Sequence, residues 1–344
     1  MLQRRTLPAT IISFLFIFSC ASNKTPSGPV TLKGAGATAP NIAYKLWLQS
    51  FNKENPEVKL EYAAVGSGEG IKQLESKSID FAASDIPLDD AEVAKIGNAL
   101  HFPALIEAIV PVYNVEGNPD IQFTAEALAG IYSGKIQSWN DAAIKSANPG
   151  KSLPSAKIAV VRRSDESGST YALTDYLSQS NGDWKKEFGR RTLLKTPGSL
   201  EANGSEGMAD LVSKTPNSIG YIDLNYAEKT KLNYGAVKNA DGKFQKASIE
   251  TQGAALETAE KMEKDYRGSL ANAAGEKAYP ICTLTWLIVP KEVSDPAKGK
   301  MLKRFLRWVY TDGQKVAMPL DYGILQPPLL ERLVDQVESI HVGN

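Results

Sequence analysis

The chain has 344 residues, with 39 basic and 39 acidic side chains and no formal net charge at pH 7. That balance excludes the basic excess a nucleic-acid binder shows, and no acidic tract marks a disordered tail. At this length, and with 42% apolar residues, the chain has room for two ordinary domains or one large one.

Arg4 and Arg5 precede an apolar run from Leu7 to Phe18. The run is shorter than the roughly 20 residues a spanning helix needs. With Ser19 after it, residues 1–19 read as an export signal. Cys20 follows directly and resembles a bacterial lipoprotein cleavage site, so Cys20 is expected to be lipidated. Residues 20–29 are then a polar tether to a membrane; the alternative is plain secretion to the periplasm. Cys282, the other cysteine, lies in the apolar "YPICTLTWLIVP" and is expected to be a small core residue without chemistry.

Beyond the tether, strand-like and helix-like stretches alternate. "VTLKGAG" (30–36) reads as a strand and "NIAYKLWLQSFNKEN" as a helix, with Ala43, Leu46, Trp47, Ser50 and Phe51 on its apolar face. "VKLEYAAV" is a strand, "IKQLES" a short helix, "IDFAASD" a strand and "DAEVAKIG" a helix. This alternation implies an α/β fold with a parallel-rich sheet, whose ligands sit at strand carboxyl ends. "ALIEAIVPVYNV" (104–115) is apolar enough for a strand buried on both faces. A second such run spans Ile281 to Val289, and the two are candidates to cross between two lobes as a hinge.

Three stretches share one pattern: a strand, then glycine with a hydroxyl residue, then a helix. They are "GAGATAP" with Thr38 ahead of a helix from Pro40, "VGSGEGIKQL" with Ser67, and "VVRRSDESGSTYALTDYL" with Ser167, Gly168 and Ser169. A helix N-terminus presents free N–H groups and partial positive charge, which suits an anion. Glycine lets the backbone approach, and a hydroxyl adds a donor. Each stretch by itself is better explained by helix capping; three of them, one beside Arg163, point to an anion site. Asp85 ends a strand where ligands gather, with an N-terminal cap as its other reading. Surface ion pairing is the alternative for "RRSDES".

Other chemistries lack their parts. Neither glycine loop ends in the Gly-Lys-Ser/Thr of a Walker loop. "GAGATA" fits the Rossmann pattern, but without an acid to meet a ribose. A serine hydrolase would need His101 as base, yet "NALHFPALIEAIV" reads as a loop leading into a strand, His341 is close to the C-terminus, and no G-x-S-x-G elbow occurs. No histidine pair or cysteine cluster suggests a metal.

"GAGATAP", "GSGEGIKQL", "DFAASDIPL", "SGKIQSWNDAAIKSANPGKSLP", "IAVVRRSDESGST" and "SIGYIDLNYA" occur in this order. Together they resemble the phosphate-binding proteins of bacterial ABC-type phosphate uptake systems, from about residue 30 to near the C-terminus. The resemblance implies a two-lobed, hinged periplasmic-binding-protein fold of type II, with 30–106 and 283–344 as lobe I and 107–282 as lobe II. It implies a monomer that binds one inorganic phosphate and delivers it to ABC permease subunits, outside the cytoplasmic membrane and without catalysis, cofactor or metal. By position, Thr38 and Ser67 would give hydroxyl donors and Ala39 its N–H. Asp85 would meet the ligand's proton, and Arg163, Ser167, Gly168 and Ser169 would hold its oxygens, with Asp165 bracing the arginine. Three positions depart from the pattern: Ala39 replaces a phenylalanine, Ser169 a threonine, and Glu166 a small residue, often glycine. Glu166 adds an acid near the anion. The competing readings are a serine phosphatase or hydrolase, a receptor for another oxyanion such as sulfate or molybdate, and a surface lipoprotein for adhesion or sensing.

Overall fold

The computed structural model describes residues 28–259 and 265–343. The export signal, Cys20 and most of the tether lie outside the described residues. The main sheet has nine strands: β1 (Val30–Gly36), β2 (Val58–Ala64), β3 (Phe81–Ser84), β4 (Leu100–Asn114), β5 (Ala159–Arg163), β6 (Leu200–Ala202), β7 (Ser218–Asp223), β8 (Asn233–Tyr234) and β9 (Cys282–Val289). Their order is β2-β1-β3-β9-β4-β7-β5-β6, with β8 also on β4. Strands β1, β2 and β3 pair in parallel, as do β5, β6 and β7, so each end of the sheet is of the expected parallel kind.

The middle of the sheet is antiparallel. Strand β4 pairs with β9 from Leu100 to Ala108 and with β7 from Ile109 to Asn114. One fifteen-residue strand therefore belongs to both halves, and its nearly unbroken apolar run matches its burial on both faces. Strand β9 differs from expectation: it stays in the first half, since its partners are β3 and the first part of β4. Among the described strands, β4 is the one that runs through the junction.

Helix α1 (Asn41–Glu54) buries Ala43, Tyr44, Trp47 and Phe51 against the first half. Leu46, expected on that face, is 37% exposed, because it lies about 100° round the helix from Trp47. The Trp47 indole donates to the Gly313 carbonyl at 2.7 Å, which satisfies the polar atom of a fully buried ring. Helix α2 (Ser67–Glu75) begins four residues before "IKQLES", and α3 (Asp90–Lys95) is started by a capping box between Asp89 and Glu92. In the second half, α4 (Gly168–Ser180), α5 (Gly204–Lys214) and α6 (Leu224–Thr230) follow β5, β6 and β7. Cys282 is buried at the start of β9 and its thiol is pushed up by burial, in keeping with a core residue. Among the described residues, no helix is long and apolar enough to cross a membrane.

Candidate functional site

The carboxyl ends of β1, β2, β3 and β5 bring the glycine–hydroxyl turns and Asp85 together. Thr38 sits between β1 and α1, Ser67 opens α2, Asp85 follows β3, and Ser167 to Ser169 form the start of α4. All the residues expected at an anion site are thus at one junction between the two halves of the sheet.

The capping alternative separates them. The Ser167 hydroxyl does cap its helix, accepting from the Thr170 N–H at 3.3 Å. Thr38 and Ser67 cap nothing: α1 and α2 have no side-chain cap. The Ser67 hydroxyl accepts from the Asp85 N–H at 3.2 Å, and the Thr38 hydroxyl accepts from Arg163 Nη2 at 3.1 Å. Asp85 caps no helix either; its Oδ1 is buried and has no hydrogen-bond partner. Ser169 Oγ is likewise buried and unpartnered. An acceptor and a donor, both withdrawn from solvent, are thereby left for a group that binds between them.

Neighbouring arginines point to opposite sides of β5, as strand alternation requires. Arg162 pairs with Glu201 at the surface and its Nε donates to Ser199 at 2.9 Å, which fits the ion-pair reading. Arg163 points inward and is 1% exposed. Asp165 grips it with both carboxylate oxygens, Oδ1 accepting from Nε at 2.7 Å and Oδ2 from Nη2. Burial opposes the charge on Asp165, but Arg163 and the Gly204 N–H outweigh it and hold the carboxyl below its ordinary value. Arg163 is therefore fixed in place by Asp165 on its Nε edge and Thr38 at Nη2, with its charge held at the junction.

Asp85 has the opposite environment. Burial pushes its carboxyl up to about 7, against the pull of a hydrogen bond from Thr285 and of the Arg163 charge. Gly168 packs directly over it: a Cβ at that position would lie 2.4 Å from Asp85 Cβ and Oδ2. Only glycine permits the helix start and the acid to approach this closely.

Glu166 does not turn its charge toward the anion site. Its Oε2 meets Lys72 Nζ of α2 at 2.7 Å, and its carbonyl accepts from the Gly68 N–H at 3.2 Å. Gly68 faces it as Gly168 faces Asp85, with a Cβ there falling 2.5 Å from Glu166 Cβ. Ala39 is buried behind α1's first turn, its carbonyl accepting from the Tyr322 hydroxyl at 2.8 Å.

Several residues of the site went unrecognised in the sequence. Ser205 at the start of α5 contacts Thr38, with hydroxyls 3.0 Å apart and the Ser205 N–H donating to Thr38 Oγ1 at 3.3 Å. "EANGSEGMADLV" carries the same strand–Gly–Ser–helix pattern as the other three stretches, so a signal was present. Tyr221 Oη accepts from the Arg163 N–H at 3.2 Å. His101, expected in a loop, is instead buried in β4, with its Nε2 accepting from the Leu88 N–H at 3.1 Å. Burial pushes its pKa down to about 4, so it is neutral and committed to the backbone rather than to a serine. Among the described residues, no group of three His, Cys, Asp or Glu side chains is placed to hold a metal ion.

Comparison with known proteins gives a consistent picture. A family model described as a PBP superfamily domain matches residues 23–313. The phosphate-binding protein PstS of Xylella fastidiosa (strain Temecula1) is 39% identical over 307 residues, 88% of this chain and 84% of its own length. PstS of Pasteurella multocida is 35% identical over 315 residues, covering 90% and 89%. Among solved structures, a phosphate-binding protein from Stenotrophomonas maltophilia superposes with a TM-score of 0.71 at 19% identity, covering 89% of this chain and 93% of that one.

Proposed function

The chain belongs to the PBP superfamily and, within it, to the PstS phosphate-binding proteins; we propose that it binds one inorganic phosphate ion at this junction and delivers it to an ABC-type permease. One observation carries the reading. A cradle of donors built around Arg163, Ser67, Thr38 and the N-terminus of α4 contains one acid, Asp85, whose Oδ1 has no hydrogen-bond partner. A site meant for any anion has no use for that acid. Phosphate at neutral pH retains at least one proton and donates it to a carboxylate; sulfate has none and meets the same carboxylate as an unpaired like charge. Sites whose buried polar groups are left unsatisfied by the wrong ligand discriminate by factors on the order of 10⁴. Arg163 and the helix start attract either oxyanion, and Asp85 selects between them.

In this reading residues 30–106 and 283–344 form one lobe and 107–282 the other. Strand β4, which changes partner between Ala108 and Ile109, is the hinge. Contacts of Thr38 with Arg163 and of Lys72 with Glu166 bridge the lobes. A ligand touching both sides favours the closed state by its differential contacts, and closure reports loading to the permease. Cys20 would carry the lipid that holds this monomeric receptor at a membrane outside the cytoplasm, the tether leaving it free to meet its permease. The receptor reading is preferred to the hydrolase because His101 is neutral, buried and engaged by Leu88.

Equilibrium dialysis of the purified chain against radiolabelled phosphate tests the reading. Retention of about one phosphate per chain, undisturbed by excess sulfate, is the expected result. Loss of all label, or equal displacement by sulfate, would sink it.

A further inference from the structure

Beneath the proposed phosphate site, two acids that ligand binding does not use, Glu107 and Asp223, lie beside Asp85. Glu107 and Asp223 are both 0% exposed, and Asp85 is 1% exposed. Both Glu107 oxygens, Asp223 Oδ2 and Asp85 Oδ1 have no hydrogen-bond partner. Strand register places the three on one face of the sheet. Glu107 stands opposite Thr283 of β9, and Asp223 opposite Ile109, two residues along β4 from Glu107. Residues two apart share a face, so Glu107 and Asp223 are diagonal neighbours. Thr283 in turn reaches the Asp85 carbonyl at 3.5 Å, and Thr285, on the same face of β9, bonds the Asp85 side chain.

The surroundings offer no countercharge. The ionisable side chains acting on the group are Tyr44 from α1, Tyr62 from β2, Tyr226 from α6, and Tyr322, each held neutral by burial. Asp321 acts on Asp223 and adds only like charge. Arg163 is the cation within reach of Asp85, and Asp165 already occupies it. An isolated carboxylate in such a place protonates rather than stays charged, and of several close acids at most one ionises readily. Burial first, and then the charges of Asp85 and Asp223, push the Glu107 carboxyl well above its ordinary range.

We infer that Glu107 and Asp223 form a neutral, proton-bearing floor to the anion site, and that Glu107 sets the alkaline limit of phosphate binding. The inference rests on the phosphate reading above for its functional half. Of Asp85, Glu107 and Asp223, Asp85 is the one the site can charge, because it alone of the three feels Arg163 and meets the ligand's proton. A charge on Glu107 would stand behind Asp85 and repel the phosphate with no cation to offset it. Glu107 thus acts through Asp85 and does not touch the ligand.

Two measurements on the full chain and its Glu107→Gln variant test this. Infrared spectroscopy should show a protonated-carboxyl band that persists at pH 8 and is diminished in E107Q. Phosphate titration should give affinities within about twofold of each other at pH 7. By pH 10 the wild type should have fallen on the order of tenfold below the variant, the order of effect that one added buried charge exerts. The inference is overturned if the band is absent, if E107Q tightens binding tenfold already at pH 7, or if the affinity ratio stays flat to pH 10. Should E107Q fail to fold, the wild-type infrared titration and Asp223→Asn answer the same question. A chain that shows the band but retains no phosphate refutes the phosphate reading while keeping the neutral floor.

Discussion

Replacing Asp85 with asparagine should make the protein more stable and less selective together. In the ligand-free fold the Asp85 carboxyl is pushed from 3.8 up to about 7, chiefly by burial. A difference of about three units at roughly 1.4 kcal/mol each corresponds to about 4 kcal/mol of disfavour for the buried charge. An asparagine amide also lacks a full set of partners here, which takes back about 1–2 kcal/mol. The net expectation is a gain of about 2–3 kcal/mol at pH 8. Its pH dependence follows from the raised value: the stabilising contribution of the protonated wild-type acid is complete below about pH 4. That contribution is lost as pH rises to about 7. D85N should therefore unfold somewhat below the wild type near pH 4, where only the amide's cost remains, overtake it between pH 4 and 7, and keep a constant gap above. Thermal melts without ligand across that range measure it, alongside phosphate and sulfate titrations, in which the amide should narrow the gap between the ions because it can donate. A stability gain independent of pH would refute the electrostatic argument, and an unchanged phosphate-to-sulfate ratio would remove Asp85 from its role.

Two further expectations follow from contacts between the lobes. Gly168→Ala would place a Cβ 2.4 Å from Asp85, so the lobes should fail to close: phosphate binding should weaken at least a hundredfold while the melting temperature stays within a few degrees. Compaction by small-angle scattering on adding phosphate should vanish in this variant, and full compaction would contradict the steric account. The Lys72–Glu166 pair is exposed on both sides, so Glu166→Ala or Lys72→Ala should speed phosphate release only about two- to fivefold at low salt, and not at all at 1 M salt. If the double variant releases phosphate faster than either single one, the two residues do not act as a pair.

The parts of the site that a sequence displays are those built locally. A glycine and a hydroxyl between a strand and a helix make an anion-binding turn whatever surrounds them, which is why Thr38, Ser67 and Ser167 to Ser169 could be marked before the fold was known. What each hydroxyl does is a tertiary matter: Ser167 caps its own helix, whereas Ser67 holds the Asp85 backbone and Thr38 meets Arg163. Ser205 carries the same local pattern and escaped notice because only the packing of α5 brings it to Thr38. The long apolar run of β4 announced a strand buried on both faces, but its change of partner at Ala108 depends on pairing that no local pattern encodes. Glu107, the single acid inside that run, is buried there with neither carboxyl oxygen partnered. Its meaning depends on Asp223 and Asp85, which lie over a hundred and about twenty residues away in the chain.

The account stands or falls on the ratio of phosphate to sulfate affinity at pH 7.5, measured by titration calorimetry on the chain from its tether onward. Tight binding of one phosphate, with sulfate weaker by several orders of magnitude, is the result expected from a donor cradle that holds one selective acid. Comparable affinities for the two ions would contradict it.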